Sequence, residues 1–171
     1  MIEKFNPADF DKIYAILEAS FPKDERRPYD EQKALLDETL YSLYIIRDGE
    51  EIVAFIASWD FEKMRYIEHF AVNPKYRNNG IGAQMINEFI ASGNKPVCLE
   101  AEPPEDDMSK RRIGFYKRNG FFLNNYPYIQ PPMSKGYNWV PLMIMTTGRE
   151  INPEEYEELK STLYRFVYKH I

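Results

Sequence analysis

The segment Val72-Asn73-Pro74-Lys75-Tyr76-Arg77-Asn78-Asn79-Gly80-Ile81-Gly82 concentrates the residue types that could do chemistry. Glycines let successive backbone N–H groups approach an anion, and Arg77 adds a charged donor. The first amides of a helix lack intrahelical partners, and the dipole adds positive potential there. If a helix opens at Ile81, this segment is an anion cradle suited to a phosphate. A P-loop would need Lys-Ser/Thr after its last glycine, and Ala83-Gln84 follow instead. A dinucleotide fingerprint would need a third glycine where Met85 stands. Glu100 does lie at the distance of the ribose carboxylate, so that alternative is weakened and not removed. An ordinary strand-to-helix turn is the plainest alternative.

Elements with distinct periodicities must position this segment. Phe10, Ile13, Tyr14 and Leu17 mark one helical face over 10–19, with Asn6-Pro7 as a start signal. A second helix is expected over 30–41, with Leu35, Leu36 and Leu40 inward. Between them, 21–28 is polar and bounded by prolines, hence a loop. Strands are expected over 43–47 and 52–58 around Asp48-Gly49, a type I′ hairpin signal. A third strand over 66–72 stops at Asn73-Pro74. Then come a helix over 81–92 stopped by Gly93, a strand over 97–101 and a helix over 108–118. Strands over 121–126 and 140–146 flank a Pro/Gly-rich connection, 127–136. Asn152, Pro153 and Glu155 form a capping box and first-turn signal for a last helix. The order suits an α/β (α+β) chain with a mixed twisted sheet of six or seven strands and helices on both faces.

Composition narrows the function. A length of 171 residues suits one domain. The net charge of −5, from 22 basic and 27 acidic residues, argues against a general nucleic-acid binder. The lone Cys98 supports no disulfide framework, and His69 and His170 are too far apart for a usual zinc cluster, so no metal site is expected. No apolar run approaches the ~18 residues of a membrane span. No signal-peptide pattern opens the chain, so a cytoplasmic location is expected. Aromatics are abundant, with 13 Tyr and 11 Phe.

Arg77-x-x-Gly80-x-Gly82 after a strand ending in Val-x-Pro resembles the pyrophosphate loop of the GNAT family of N-acetyltransferases. Arg111-Arg112-Ile113-Gly114-Phe115-Tyr116-Lys117-Arg118-Asn119-Gly120-Phe121-Phe122 resembles the family's second signature, in the expected order and at the usual distance. The resemblance covers roughly 1–147. It implies a GNAT fold splayed between strands 66–72 and 97–101, followed by an extra helical extension, 148–171, packed on the same domain. That extension covers a sheet edge or core face, with a homodimer contact as the alternative.

The resemblance further implies acetyl-CoA as co-substrate and direct acetyl transfer to an amine. Phe70, Ala71 and Val72 would offer main-chain groups to the pantetheine, and the Val72 N–H would hold the thioester oxygen. Arg77, Asn78, Asn79, Gly80, Ile81, Gly82 and Ala83 would hold the pyrophosphate. Ser109 stands where the family often has an Asn touching the pantetheine, so that contact is weaker or lost. Tyr116 would protonate the leaving thiolate. An amine with pKa near 10.4 is neutral in about one molecule in 2,500 at pH 7, so a base is expected. Strand alternation puts Glu68 on a face with Phe70 and Val72, which makes it the candidate base, with Glu100 or a water chain as alternatives. His69 would point to the opposite face. Cys98, in an apolar strand, reads as a core residue.

The acceptor is bordered in the family by loop 21–30 and the connection 127–138. Arg26 and Arg27 would favour an anionic acceptor, while Glu102, Glu105, Asp106 and Asp107 would favour a cationic one. Tyr126, Tyr128, Tyr137 and Trp139 would gather at the acceptor edge. A non-catalytic acyl-CoA-binding or regulatory module on the same scaffold is the alternative to an enzyme.

Overall fold

The computed structural model describes residues 1–170. The chain divides into two compact units, Met1–Val97 and Cys98–Ile171.

In the first unit, β1 (Glu3–Lys4), β2 (Tyr41–Asp48), β3 (Glu51–Asp60) and β4 (Arg65–Val72) pair antiparallel in that order. Three helices accompany them, α1 (Phe10–Ser20), α2 (Tyr29–Ala34) and α3 (Ile81–Ala91). Helix α1 buries Phe10, Ile13, Tyr14, Ile16 and Leu17, the face that the periodicity marks. Helix α3 buries Met85, Ile86 and Phe89. The β2–β3 hairpin turns on Gly49, which has φ +59 and is the one residue there with positive φ. That matches glycine leading a type II′ turn rather than the type I′ pair expected from Asp48-Gly49.

Arg65 closes the C-terminal end of α3. Its guanidinium donates to the Phe89 and Ile90 carbonyls, both at 2.9 Å, and lies over the Phe89 ring. Those carbonyls belong to the last turn, where the Phe89 carbonyl also accepts from the Ser92 N–H and hydroxyl.

The second unit pairs β5 (Val97–Ala101) with β7 (Val140–Thr147), and β7 with β6 (Phe121–Gln130), all antiparallel. Its helices are α4 (Asp107–Arg118) and α5 (Pro153–Thr162), the latter continuing as a wider turn over Leu163–Val167. The capping box at α5 forms as read, with Asn152 accepting from the Glu155 N–H and Glu155 from the Asn152 N–H.

Two further expectations change, and one strand is new. The second helix ends at Ala34 with a tight turn over Leu35–Asp37, so Tyr41 opens β2 and Leu40 is exposed instead of inward. Strand β6 runs through Pro127 to Gln130, where a loop was expected. The register shifts between Asn124 and Tyr128, and such an irregularity accommodates the missing proline N–H. Strand β1 is two residues long, too short to leave a periodic signal.

Candidate active site

The segment expected to cradle an anion follows the end of β4. The Asn73 side chain accepts the Lys75 N–H at 3.2 Å and caps a tight turn, Pro74–Tyr76. The Tyr76 hydroxyl donates to Glu51 Oε2 at 2.8 Å, tying that turn to β3. Arg77 is held from both sides, Nε donating to the Val72 carbonyl at 3.2 Å and Nη2 to Ser20 Oγ at 3.3 Å. Asn78 (φ +66) and Gly80 (φ +76) are both left-handed and flank Asn79. Asparagine tolerates that region through its short polar side chain, and glycine without penalty. Gly80 is the residue capping α3 and offers no side chain to do so. The N–H groups of Ile81, Gly82 and Ala83, in the first helical turn, therefore carry no side-chain cap. Orphan amides, helix dipole and an anchored guanidinium converge on one exposed loop. The residues from Arg77 to Ala83 share one loop-to-helix segment.

The strand feeding this loop turns its main chain usefully. The Asn73 N–H bonds the Val53 carbonyl at 2.8 Å. In an antiparallel pair, bonded and non-bonded positions alternate. The register Ala54↔Val72, Phe55↔Ala71 and Ile56↔Phe70 thus turns the N–H and C=O of Val72 and Phe70 away from β3. The Arg77 contact to the Val72 carbonyl agrees with that orientation.

Two residues earlier the ladder breaks. Ala57 pairs with His69 and Ser58 with Ile67, which leaves Glu68 as the extra residue of a β-bulge. The bulge cancels strict alternation, and the expected opposition of Glu68 and His69 fails for that reason. Both side chains reach the segment between α1 and α2. Glu68 Oε1 lies 2.7 Å from Arg27 Nη1, and Glu68 Oε2 lies 3.5 Å from His69 Nδ1. His69 Nε2 lies 2.7 Å from the Glu25 carbonyl, which only accepts, so this nitrogen carries the proton. The Glu68 and Arg27 side chains are 1% and 6% exposed. The pair is ionic in character, since the carboxylate oxygens meet no well-directed hydrogen bond. Burial pushes the Glu68 pKa up, but the Arg27 charge and His69 outweigh it and hold it at about 2.

The second unit carries the other expected residues. Tyr116 on α4 is buried between Phe115 and Phe121, with ring centroids 5.4 and 5.6 Å away. Burial pushes its phenol up to about 12, so it is protonated at neutral pH. Ser109 is buried, and its hydroxyl donates to Asp106, which caps α4. Its proton is committed to the helix cap, a role that sequence reasoning missed although Asp106-x-x-Ser109 has capping spacing. Cys98 is fully buried and burial pushes its thiol up, which opposes a nucleophilic role. Glu100 Oε1 accepts from the Tyr128 and Tyr168 hydroxyls at 2.9 and 2.6 Å.

The profile of the acetyltransferase (GNAT) family matches residues 10–121. The chain belongs to the GNAT family of acetyltransferases. A solved protein from Bacteroides thetaiotaomicron assigned to the GNAT family is 32% identical, with 98% of each chain covered and a TM-score of 0.90. The ribosomal-protein-S18-alanine N-acetyltransferase of Escherichia coli shares the fold at 19% identity, covering 90% of this chain and 96% of its own, with a TM-score of 0.62. A spermidine N-acetyltransferase variant from Vibrio cholerae does so at 10% identity, covering 86% and 94%, with a TM-score of 0.65. No curated protein sequence matches the chain. The GNAT match spans the pyrophosphate-loop signature and the second signature as far as Phe121. Among the described residues, no helix is long and apolar enough to cross a membrane.

Within this GNAT fold, several acceptor-side expectations shift. Arg27 is buried in its ion pair. Arg26 bonds the Phe21 carbonyl at 3.2 Å and lies 3.4 Å from Glu18. Neither arginine stands ready for an anionic acceptor. The Tyr126 ring stacks on Tyr156 at 4.5 Å and its hydroxyl donates to the Ile151 carbonyl. Trp139 packs edge-on against His170 at 4.8 Å. These aromatics bind the C-terminal segment to β6 and its neighbourhood, which accounts for part of the aromatic abundance.

Proposed function

We propose that the protein is an acetyl-CoA-dependent N-acetyltransferase that passes acetyl directly to an amine. The observation that carries this reading is that the Arg77–Ala83 segment follows directly on Val72, whose main chain turns away from β3. A pyrophosphate on the cradle lets an attached pantetheine run along that edge, with the Val72 N–H as donor to the thioester oxygen. Preorganised donors of this kind contribute several kcal/mol to acyl transfer. The amine nitrogen attacks the carbonyl carbon, the C–N bond forms and the C–S bond breaks. The amine proton goes to water, and the departing thiolate takes a proton from Tyr116. The Tyr116 phenol, pushed up to about 12 by burial, is protonated at neutral pH and so has a proton to give, though as a weaker acid than a free phenol.

Glu68 as proton acceptor draws no support from its surroundings. A buried carboxylate held at about 2 beside Arg27 is a weak base. We therefore propose that the amine loses its proton before attack. The rate then rises tenfold per pH unit up to the pKa of the acceptor amine, with no lower limb from Glu68. Thiol release from acetyl-CoA, followed across amines, polyamines, amino acids and peptides and then against pH, tests both statements. Binding of acetyl-CoA without thiol release on any acceptor would replace the enzyme by an acyl-CoA-binding module. A plateau beginning well below the amine pKa would restore a base.

A further inference from the structure

Residues 21–28 link α1 to α2 with only one tight turn, Lys23–Glu25, of regular structure. A segment so poor in backbone bonding needs other anchors, and the anchors here are buried. The Tyr14 hydroxyl donates to the Arg27 carbonyl at 2.9 Å. His69 Nε2 donates to the Glu25 carbonyl at 2.7 Å. Arg27 reaches Glu68 at 2.7 Å. The last two contacts come from consecutive residues of β4. A regular strand would send those side chains to opposite faces, and the bulge at Glu68 is what brings them together. Two residues further along the same strand lies Phe70, where the outward main chain begins.

We propose that Arg27 is a positioning residue for the acceptor. Its ion pair with Glu68, together with the His69–Glu25 bond, clamps loop 21–28 to the bulge of β4. The loop and the Val72 end of β4 thereby hold a fixed geometry, so an acceptor seated against the loop meets a thioester held at Val72. Such placement matters because small misplacements of reacting atoms cost large factors in rate. The assignment rests on the acetyltransferase reading, in which loop 21–28 borders the acceptor. Facing Glu68 are the Arg27 guanidinium from the loop, the His69 ring from its own strand and the Tyr41 hydroxyl from β2. The cradle at Arg77–Ala83 is built from different contacts, so loosening the clamp leaves acetyl-CoA binding intact.

The test uses the full chain with Arg27→Gln and Arg27→Lys. Initial rates give KM for acetyl-CoA and for the best amine acceptor. Limited trypsin digestion reports cleavage after Lys23 and Arg26. For Arg27→Gln the expected result is an acceptor KM raised about tenfold or more, an acetyl-CoA KM within about twofold, and cleavage at least tenfold faster. Arg27→Lys, which keeps the charge, gives intermediate values, and it carries the test if the glutamine variant does not fold. An active wild type whose variants leave the acceptor KM and the cleavage rate unchanged overturns the clamp alone. A joint rise of both KM values also overturns it, because that signals general damage. A wild type that acetylates no amine overturns the acetyltransferase reading, and the acceptor assignment with it. In that case faster cleavage of the variants would still show that the contact orders the loop.

Discussion

Replacing Glu68 by Gln removes one charge and almost no volume from the bulge of β4. Its consequences follow from the position of that charge. The carboxyl pKa falls from an ordinary 4.5 to about 2 in the fold. At ~1.4 kcal/mol per tenfold change in proton affinity, that fall corresponds to about 3 kcal/mol of stability. The sign is that of a depressed acid: the contribution is complete above pH 4.5 and is lost as pH falls toward 2. A second route gives a similar size. Removing one partner of a buried ion pair leaves the other charge uncompensated, at a cost of about 3–5 kcal/mol. For a chain of this length, 1 kcal/mol moves the midpoint by roughly 2–4 °C, so Glu68→Gln should lower Tm by roughly 6–12 °C at pH 7. The gap to wild type should close as both proteins are melted at successively lower pH between 5 and 2. Thermal unfolding followed by circular dichroism measures both effects. A variant within about 1 kcal/mol of wild type at pH 7, with a parallel acid limb, would refute the buried-pair account. The same variant tests the catalytic reasoning, since log kcat/KM against pH should keep its slope and midpoint. A profile displaced along the pH axis would return Glu68 to the role of base.

Tyr116→Phe should lower kcat by roughly 100-fold, toward the lower end for general acids because a thiolate leaves readily, with little change in acetyl-CoA affinity; an unchanged kcat in single-turnover assays would remove the acid. Arg77→Ala should weaken CoA binding by about 10–100-fold in calorimetry, the range for a hydrogen bond to a charged group, and equal affinity would place the pyrophosphate elsewhere. Gly93→Ala places a Cβ 2.8 Å from Arg65 Cζ, whose guanidinium is tied to the end of α3. It should cost about 1–3 kcal/mol in urea unfolding, and a neutral outcome would mean that the guanidinium moves aside freely.

The legible parts of this fold are those with local causes. The faces of α1 and α3 follow from apolar spacing, and the start of α5 from Asn152, Pro153 and Glu155. The turn into α3 is legible because Gly80 meets a left-handed backbone requirement there. The left-handed turn at Asn78 is not, since asparagine is only one residue type among several that visit that region. The sequence predicts the end of β6 at Pro127 because a local irregularity that admits proline leaves no mark in it. It predicts a longer α2 because Leu35, Leu36 and Leu40 satisfy a helical period even though the chain turns over Leu35–Asp37. Ser109 reads as a ligand contact from its place in the signature, while its nearer partner Asp106 takes the hydroxyl proton for a helix cap.

The bulge at Glu68 unites the largest departures. Alternation is a rule of regular strands, and one inserted residue suffices to void it. Nothing in Tyr66-Ile67-Glu68-His69-Phe70 distinguishes a bulged strand from a straight one. The insertion is fixed by long-range pairing, since β3 offers Ala57 and Ser58 as consecutive partners to His69 and Ile67. From that one displacement follow the burial of Glu68, its pairing with Arg27, and the redirection of His69 to the Glu25 carbonyl. A carboxylate on this strand looked like a base because the straight-strand geometry set it beside the reacting edge. In the bulged strand the same carboxylate is bound to loop 21–28 instead, and in the reaction proposed above the proton of the amine leaves by another route. In that reaction the neutral fraction of the acceptor governs the rate, so across alkylamines of similar size the pH at which kcat/KM levels off should follow the amine pKa. Levelling at one common pH well below those pKa values would require a proton acceptor within the protein.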